Sequence, residues 1–194
     1  MRLSTVQGDK SEAILDAAYG IFGSKGFYET KMSDIADEAG IAKGTIYLYF
    51  KNKEQLFVAV SKRDCDNFIS RLDYALNSHQ STGDKLGAIA KTHLTYYYER
   101  RNHTKMFFMA PNNDPDLMKF MKAFMNEYMS MVREVLENAG VPEPVLLAEA
   151  YIGILDRLKM DIMLNPEFNE EHLNKRITFA AALFLDGCRS FLQV

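Results

Sequence analysis

The stretch Ile35-Ala36-Asp37-Glu38-Ala39-Gly40-Ile41-Ala42-Lys43-Gly44-Thr45-Ile46-Tyr47-Leu48-Tyr49-Phe50-Lys51-Asn52-Lys53-Glu54-Gln55-Leu56-Phe57 holds two short helical patterns on either side of Gly40. Ile35, Ala36 and Ala39 recur at helical spacing before the glycine, and Ile46 and Phe50 do so after it. A small-residue turn between two such segments holds one helix across the other and aims it into a groove, the requirement of a helix-turn-helix. No acid occurs from Ala39 to Lys53, whereas Lys43, Lys51 and Lys53 contribute positive charge. Lys43 and Thr45 fall in the first turn of the second helix, where side chains reach base edges, and Gly44 lets a backbone approach closely. Tyr47 and Tyr49 offer phenolic donors to phosphates, and Lys53 adds a cation where the next helix opens.

Working outward, Asp9 and Glu12 have capping-box spacing ahead of Ile14, Ala17, Ala18, Ile21 and Phe22, so a first helix is expected from about Asp9 to Lys25, stopped by Gly26. Asn52 and Gln55 form a second capping-box pair, opening a long helix whose apolar face is Leu56, Phe57, Val60, Phe68, Ile69, Leu72 and Leu76. The polar run from Asn77 to Gly83 reads as a loop. Further helices are expected over roughly 84–101, 104–110, 116–138, 144–164 and 169–192, punctuated by Pro111, Pro115, Gly140, Pro144 and Pro166. The fold class is therefore all-α: a three-helix head joined by a long helix to a helical body.

The 194 residues and 47% hydrophobic content allow one large core or two small ones. A net charge of −3 argues against a protein that coats nucleic acid through bulk charge, and favours a small positive reading head on an acidic chain. Cys65 and Cys188 lie in apolar helical patterns and read as buried thiols of a reducing compartment. Without a signal-like N-terminus or a run of 18 apolar residues, the chain is expected to be cytoplasmic, with no membrane partner. His93 and His103 lack zinc-helix spacing, Gly20, Gly23 and Gly26 lack phosphate-loop spacing, and no serine sits in a nucleophile elbow. Neither catalysis, a cofactor nor a metal is expected.

Gly26-Phe27, Thr30, Ile35-Ala36, Ala39-Gly40-Ile41, Lys43-Gly44-Thr45-Ile46-Tyr47, Tyr49-Phe50 and Lys53-Glu54-Gln55-Leu56-Phe57 together resemble the amino-terminal signature of TetR-family transcriptional regulators, over roughly residues 10–60. The resemblance implies a homodimer whose paired heads bind a palindromic operator in double-stranded DNA, as a repressor released by a small ligand. It implies a DNA-binding domain over 1–52 and a ligand-binding and dimerisation domain over 53–194. Lys31, Lys43, Gly44, Thr45, Tyr47, Tyr49 and Lys53 would face DNA, while Ile46 and Phe50 hold the helix to the head. Each head would enter a major groove, the two about one turn apart, near 34–36 Å. Two positions depart from the family pattern: Ala42 and Lys31 stand where hydroxylated caps are usual. A lost cap costs about 1 kcal/mol.

The body's middle is rich in methionine and aromatic residues, a composition that adapts to an apolar or aromatic effector. The candidate ligand residues are His93, Tyr97, Phe107, Phe108, Met121, Phe124, Met125, Tyr128 and Asp156, with His93 and Asp156 supplying polar orientation and Arg100 and Arg157 expected at the surface. The last two helices carry apolar faces broad enough for a four-helix dimer interface, assigned to Leu147, Ile154, Leu158, Ile177, Ala181, Phe184 and Cys188. A constitutive DNA-binding or protein-interaction module without an effector is the alternative.

Overall fold

The computed structural model describes residues 3–103 and 114–188, with side chains over 10–103 and 114–187, and every regular element among them is helical. The helices are α1 (Leu3–Lys25), α2 (Met32–Glu38), α3 (Lys43–Ile46), α4 (Lys53–Asn77), α5 (Thr82–Glu99), α6 (Pro115–Asn138), α7 (Pro144–Leu164) and α8 (Glu170–Cys188), with a 3-10 turn at Arg101–His103. Helix α1 starts at Leu3, so Asp9 and Glu12 do not open it as their spacing predicts. The expected segment over 104–110 and the end of the last helix lie outside the described residues. No described helix is long and apolar enough to cross a membrane.

The described residues within Met1–Cys65 and Asn102–Met121 form one compact unit, and those within Asp66–Arg101 and Lys122–Val194 form another. The first unit, the head, is built on Ile14, Ala18, Phe22, Ile35, Ala36, Ile46, Leu56, Phe57 and Val60. Phe57 meets the rings of Phe22 and Phe27 edge-on at 5.1 and 5.2 Å. Leu117 and Met121, from the start of α6, belong to this cluster.

The second unit, the body, packs the later part of α4 with α5, α7, α8 and the rest of α6 around Phe68, Leu72, Ile89, Leu94, Tyr128, Val132, Leu136, Tyr151 and Leu155. Ser81 caps α5, accepting from the Asp84 N–H at 3.1 Å. The Tyr151 hydroxyl donates to the Leu86 carbonyl at 2.7 Å, which satisfies a phenol otherwise stranded in apolar surroundings.

Candidate functional site

The turn between α2 and α3 closes through a pair of backbone hydrogen bonds. The Ile41 N–H donates to the Ala36 carbonyl at 3.0 Å and the Gly40 N–H donates to the Asp37 carbonyl at 3.2 Å. This Schellman closure needs a left-handed residue, and Gly40 supplies it at φ +64°. Neither Lys31 nor Ala42 gives its helix a side-chain cap, as their chemistry dictates. Asp34, in the first turn of α2, instead takes the Lys25 ammonium at 3.0 Å, and that hydrogen bond holds its carboxyl below the ordinary carboxylate range.

On the other side of α3, Asn52 and Gln55 form the reciprocal cap their spacing predicts, displaced by one residue on the return bond. The Gln55 N–H donates to Asn52 Oδ1 at 2.8 Å, and the Lys51 N–H donates to Gln55 Oε1 at 2.7 Å. Between these brackets Ile46 and Phe50 are buried, which fixes the rotation of the four-residue helix. Lys31, Lys43, Gly44 and Tyr47 are exposed, Thr45 half-buried, and Tyr49 half-buried against the head core. A Cβ added to Gly44 would meet nothing within 4 Å, so no internal packing demands glycine there.

Two placements differ from the sequence expectation. Lys53 directs its ammonium inward, donating to the Thr30 and Tyr28 carbonyls at 2.9 and 3.3 Å and lying 4.5 Å from the centre of the Phe27 ring. Carbonyls freed where α1 ends compete for this cation, and it ties the Gly26–Lys31 loop to the start of α4. Leu48, absent from the predicted contacts, is 81% exposed beside Tyr47. Its signal was an apolar residue between two helix-anchoring positions, the character that meets a thymine methyl in a major groove.

In the body the structure gathers five of the predicted ligand residues, His93, Tyr97, Phe124, Tyr128 and Asp156. His93 Nδ1 lies 3.0 Å from the Tyr128 hydroxyl, and His93 Nε2 lies 3.6 Å from Asp156 Oδ1. Burial, reinforced by the positive charge of Lys159, lowers the His93 pKa to about 3. The imidazole is therefore neutral, and its approach to Asp156 is not an ion pair. Its buried Nε2 has no hydrogen-bond partner among the described residues. Burial and the neighbouring Tyr97 and Asp156 raise the Tyr128 pKa, so that phenol also stays neutral.

Lys159 pairs with Asp156 and lies 4.6 Å from the centre of the Tyr97 ring. Burial opposes its charge, but Tyr97 and Asp156 outweigh burial and raise its pKa. Sequence reasoning missed Lys159, although its i,i+3 relation to Asp156 was readable. It also left out Phe68 as a site residue, whose ring touches those of Tyr128 at 5.0 Å, Tyr96 at 5.1 Å, Phe124 at 5.7 Å and His93 at 6.1 Å. Met125 is 40% exposed, Met121 packs on the head core instead, and Phe107 and Phe108 lie outside the described residues.

The predicted dimer residues are mostly spent within their own unit. Phe184 is buried, its ring 4.3 Å from that of Tyr151, and Leu147, Ile154, Leu158 and Ile177 are half-buried against the body core. Ala181 is half-buried, and the Cys188 side chain lies outside the described ones. The exposed apolar side chains on α7 and α8 include Leu146, Phe179 and Leu183, at 59%, 54% and 46% exposure. Helical periodicity finds an apolar stripe, but a helix packed on one side buries that stripe in its own core before any partner sees it.

A short helix locked by buried Ile46 and Phe50 behind a Schellman turn, presenting a basic and tyrosine-bearing surface, makes this a helix-turn-helix DNA-binding protein. The family model for bacterial regulatory proteins of the tetR family matches residues 14–60. A fatty acid metabolism regulator protein of Bacillus subtilis is 35% identical over 162 residues, covering 79% of this chain and 84% of the relative. The chain belongs to the TetR family of transcriptional regulators. Two solved structures share its fold. The fatty acid degradation regulator FadR of Bacillus halodurans has a TM-score of 0.80 at 22% identity, over 93% of this chain and 96% of that one. FadR of Bacillus subtilis, solved in complex with stearoyl-CoA, has a TM-score of 0.78 at 22% identity, over 91% and 98%.

The depressed His93 pKa makes stability pH-dependent with a definite sign. The unfolded chain takes up a proton near pH 6.5 that the folded body refuses until about pH 3. The contribution is thus fully present above pH 6.5 and is lost as pH falls toward 3. Between pH 6 and 5, the parent should lose up to about 1.4 kcal/mol per pH unit more than His93→Gln in urea unfolding. Parallel curves for the two proteins would refute a buried neutral His93.

Proposed function

We propose that the protein is a homodimeric repressor of the bacterial cytoplasm, with a DNA-binding domain over 1–52 and an effector-binding and dimerisation domain over 53–194, whose grip on a palindromic operator is relieved by a long-chain acyl-CoA. The observation that carries the effector class is the cluster in which buried His93 and Tyr128 meet half-buried Asp156 and Lys159, set among the rings of Phe68, Phe124 and Tyr97. An acyl chain needs apolar and aromatic walls, and its thioester carbonyl needs a few convergent donors. The unpartnered Nε2 of His93 and the Lys159 ammonium supply them. Similarity to the fatty acid regulator supports the same reading, because 162 matched residues extend well beyond the head.

In the head, Lys31, Lys43, Thr45, Tyr47, Leu48 and Tyr49 form the proposed contact surface, with Gly44 admitting the phosphate backbone. Lys53 serves that surface chiefly from behind, by holding the loop before α2. The proposed dimer contact is the face bearing Leu146, Phe179 and Leu183, covered by the same face of a second copy, as a two-fold axis requires. Release requires that the acyl-CoA bind the DNA-free arrangement more tightly than the DNA-bound one; occupancy alone shifts nothing.

Tyr47→Phe removes one phosphate donor and should weaken binding by roughly 2- to 10-fold on operator and unrelated DNA alike, measured by fluorescence anisotropy. A loss confined to the operator would reject the phosphate role. Phe179→Glu should yield monomers in sedimentation velocity and lower operator affinity by roughly tenfold or more, because the second half-site contact is no longer intramolecular; a stable dimer carrying Phe179→Glu sinks the assigned face. Micromolar stearoyl-CoA should release labelled operator from the parent protein while acetyl-CoA does not. If no acyl-CoA releases it, the constitutive module is the better reading.

A further inference from the structure

Gly83, Gly87 and Lys91 lie on one i,i+4 ridge of α5, and this ridge borders an open cleft of about 500 Å³ faced by Arg71 and Tyr74 of α4 and by Ser78 just after it. A glycine in the middle of a helix is unfavourable and usually marks a close approach by a neighbour. Gly87 marks none, since a Cβ built on it would meet no atom within 4 Å. Its effect is to keep one wall of the cleft bare.

The cleft's charge is mainly positive. Arg71 and Lys91 border it, and Arg71 and Tyr74 also line an adjoining hollow of about 440 Å³ together with Arg100. Arg71 donates to Glu99 Oε2 at 2.6 Å, but both side chains are about half exposed, so this is a solvated pair that an arriving phosphate can replace. Asp84 is the single acid among the residues bordering the cleft, and it is engaged by the Ser81 hydroxyl at 2.6 Å in the cap of α5. Tyr74 is 76% exposed where the two hollows meet, an aromatic face open to a stacked base.

The cleft is also close to the cluster around His93. Tyr96 lines it, and the Tyr96 ring packs on Phe68 at 5.1 Å, which in turn packs on Tyr128 at 5.0 Å. Two aromatic rings therefore stand between the cleft and the polar group around His93.

We propose that this cleft binds a phosphorylated purine nucleotide, with Arg71 and Lys91 on the phosphates and Tyr74 against the base. Resting on the acyl-CoA reading, the nucleotide is the phosphoadenosine end of the effector, while the acyl end reaches the interior past Tyr96. Gly87 is the residue that leaves room for it.

The test is calorimetric titration of the full chain with coenzyme A alone. The parent should bind it, and both Gly87→Leu, which fills the cleft with a better helix former, and the double variant Arg71→Ala/Lys91→Ala should weaken binding at least tenfold. The Gly87→Leu thermal midpoint should be no lower than the parent's; if that variant misfolds, the double variant decides. No binding of coenzyme A by the parent, or equal affinity in the folded variants, overturns the cleft assignment. Operator release by stearoyl-CoA separates the two ideas. Release without coenzyme A binding keeps the effector and removes the cleft, whereas coenzyme A binding sensitive to these variants without release keeps the cleft and removes the effector.

Discussion

Helix α3 has four residues, and no helix of that length holds itself together in water, where even favourable sequences need about 12–15. Its existence depends on burying Ile46 and Phe50 in the head core, each such side chain contributing roughly 1.5–3 kcal/mol. That one constraint fixes the rotation of the helix, and with it the outward direction of Lys43, Tyr47 and Leu48. Everything around α3 serves to hold the two anchors in place. The Schellman turn at Gly40 sets the entry, the Asn52–Gln55 exchange sets the exit, and Lys53 fastens the loop before α2 to the helix that follows. The exposed surface of α3 is thus a by-product of core packing, which gives it a defined shape without side-chain caps on α2 or α3.

The body answers a different problem. Its aromatic packing centres on Phe68, whose ring contacts four others. Into that packing the chain inserts a histidine held neutral by burial, beside a lysine held charged by Asp156 and Tyr97. A core optimised for stability alone would carry an apolar side chain there. On the proposed reading, that buried nitrogen without a partner among the described residues is what a ligand oxygen meets.

Much of this is legible in the sequence. Gly40, the Asn52–Gln55 pair and the Ile46–Phe50 spacing dictate local geometry, and local geometry is what sequence patterns encode. The grouping of His93, Tyr97, Tyr128 and Asp156 was readable as a set of polar or aromatic residues in apolar helices, though their distances were not. What escaped was phase. Leu147 and Leu146 are adjacent, yet the first faces the core and the second the solvent, and which is which depends on how α7 packs on its neighbours. Met121 was misplaced for the same reason, since the apolar stripe of α6 supplies the head cluster through Leu117 and Met121 and the body cluster through Tyr128 and Val132. Lys53 was read as a surface cation because periodicity says nothing about free carbonyls elsewhere in the chain.

An effector controls DNA binding only through interactions that differ between two states, and the cluster around buried His93 supplies such a difference on the proposed reading. A buried donor or acceptor without a partner costs about 1–3 kcal/mol, and a ligand oxygen that pairs with His93 Nε2 recovers it. Allosteric couplings are typically about 1–3 kcal/mol, or 5- to 150-fold in affinity. One unsatisfied nitrogen is therefore of the right size to bias the equilibrium, provided the arrangement that pairs it is not the one that holds DNA. The apolar chain contributes affinity in both arrangements, because aromatic walls grip it without regard to direction. Discrimination between the two arrangements then falls to the few polar atoms around His93, and affinity to the many apolar ones around Phe68.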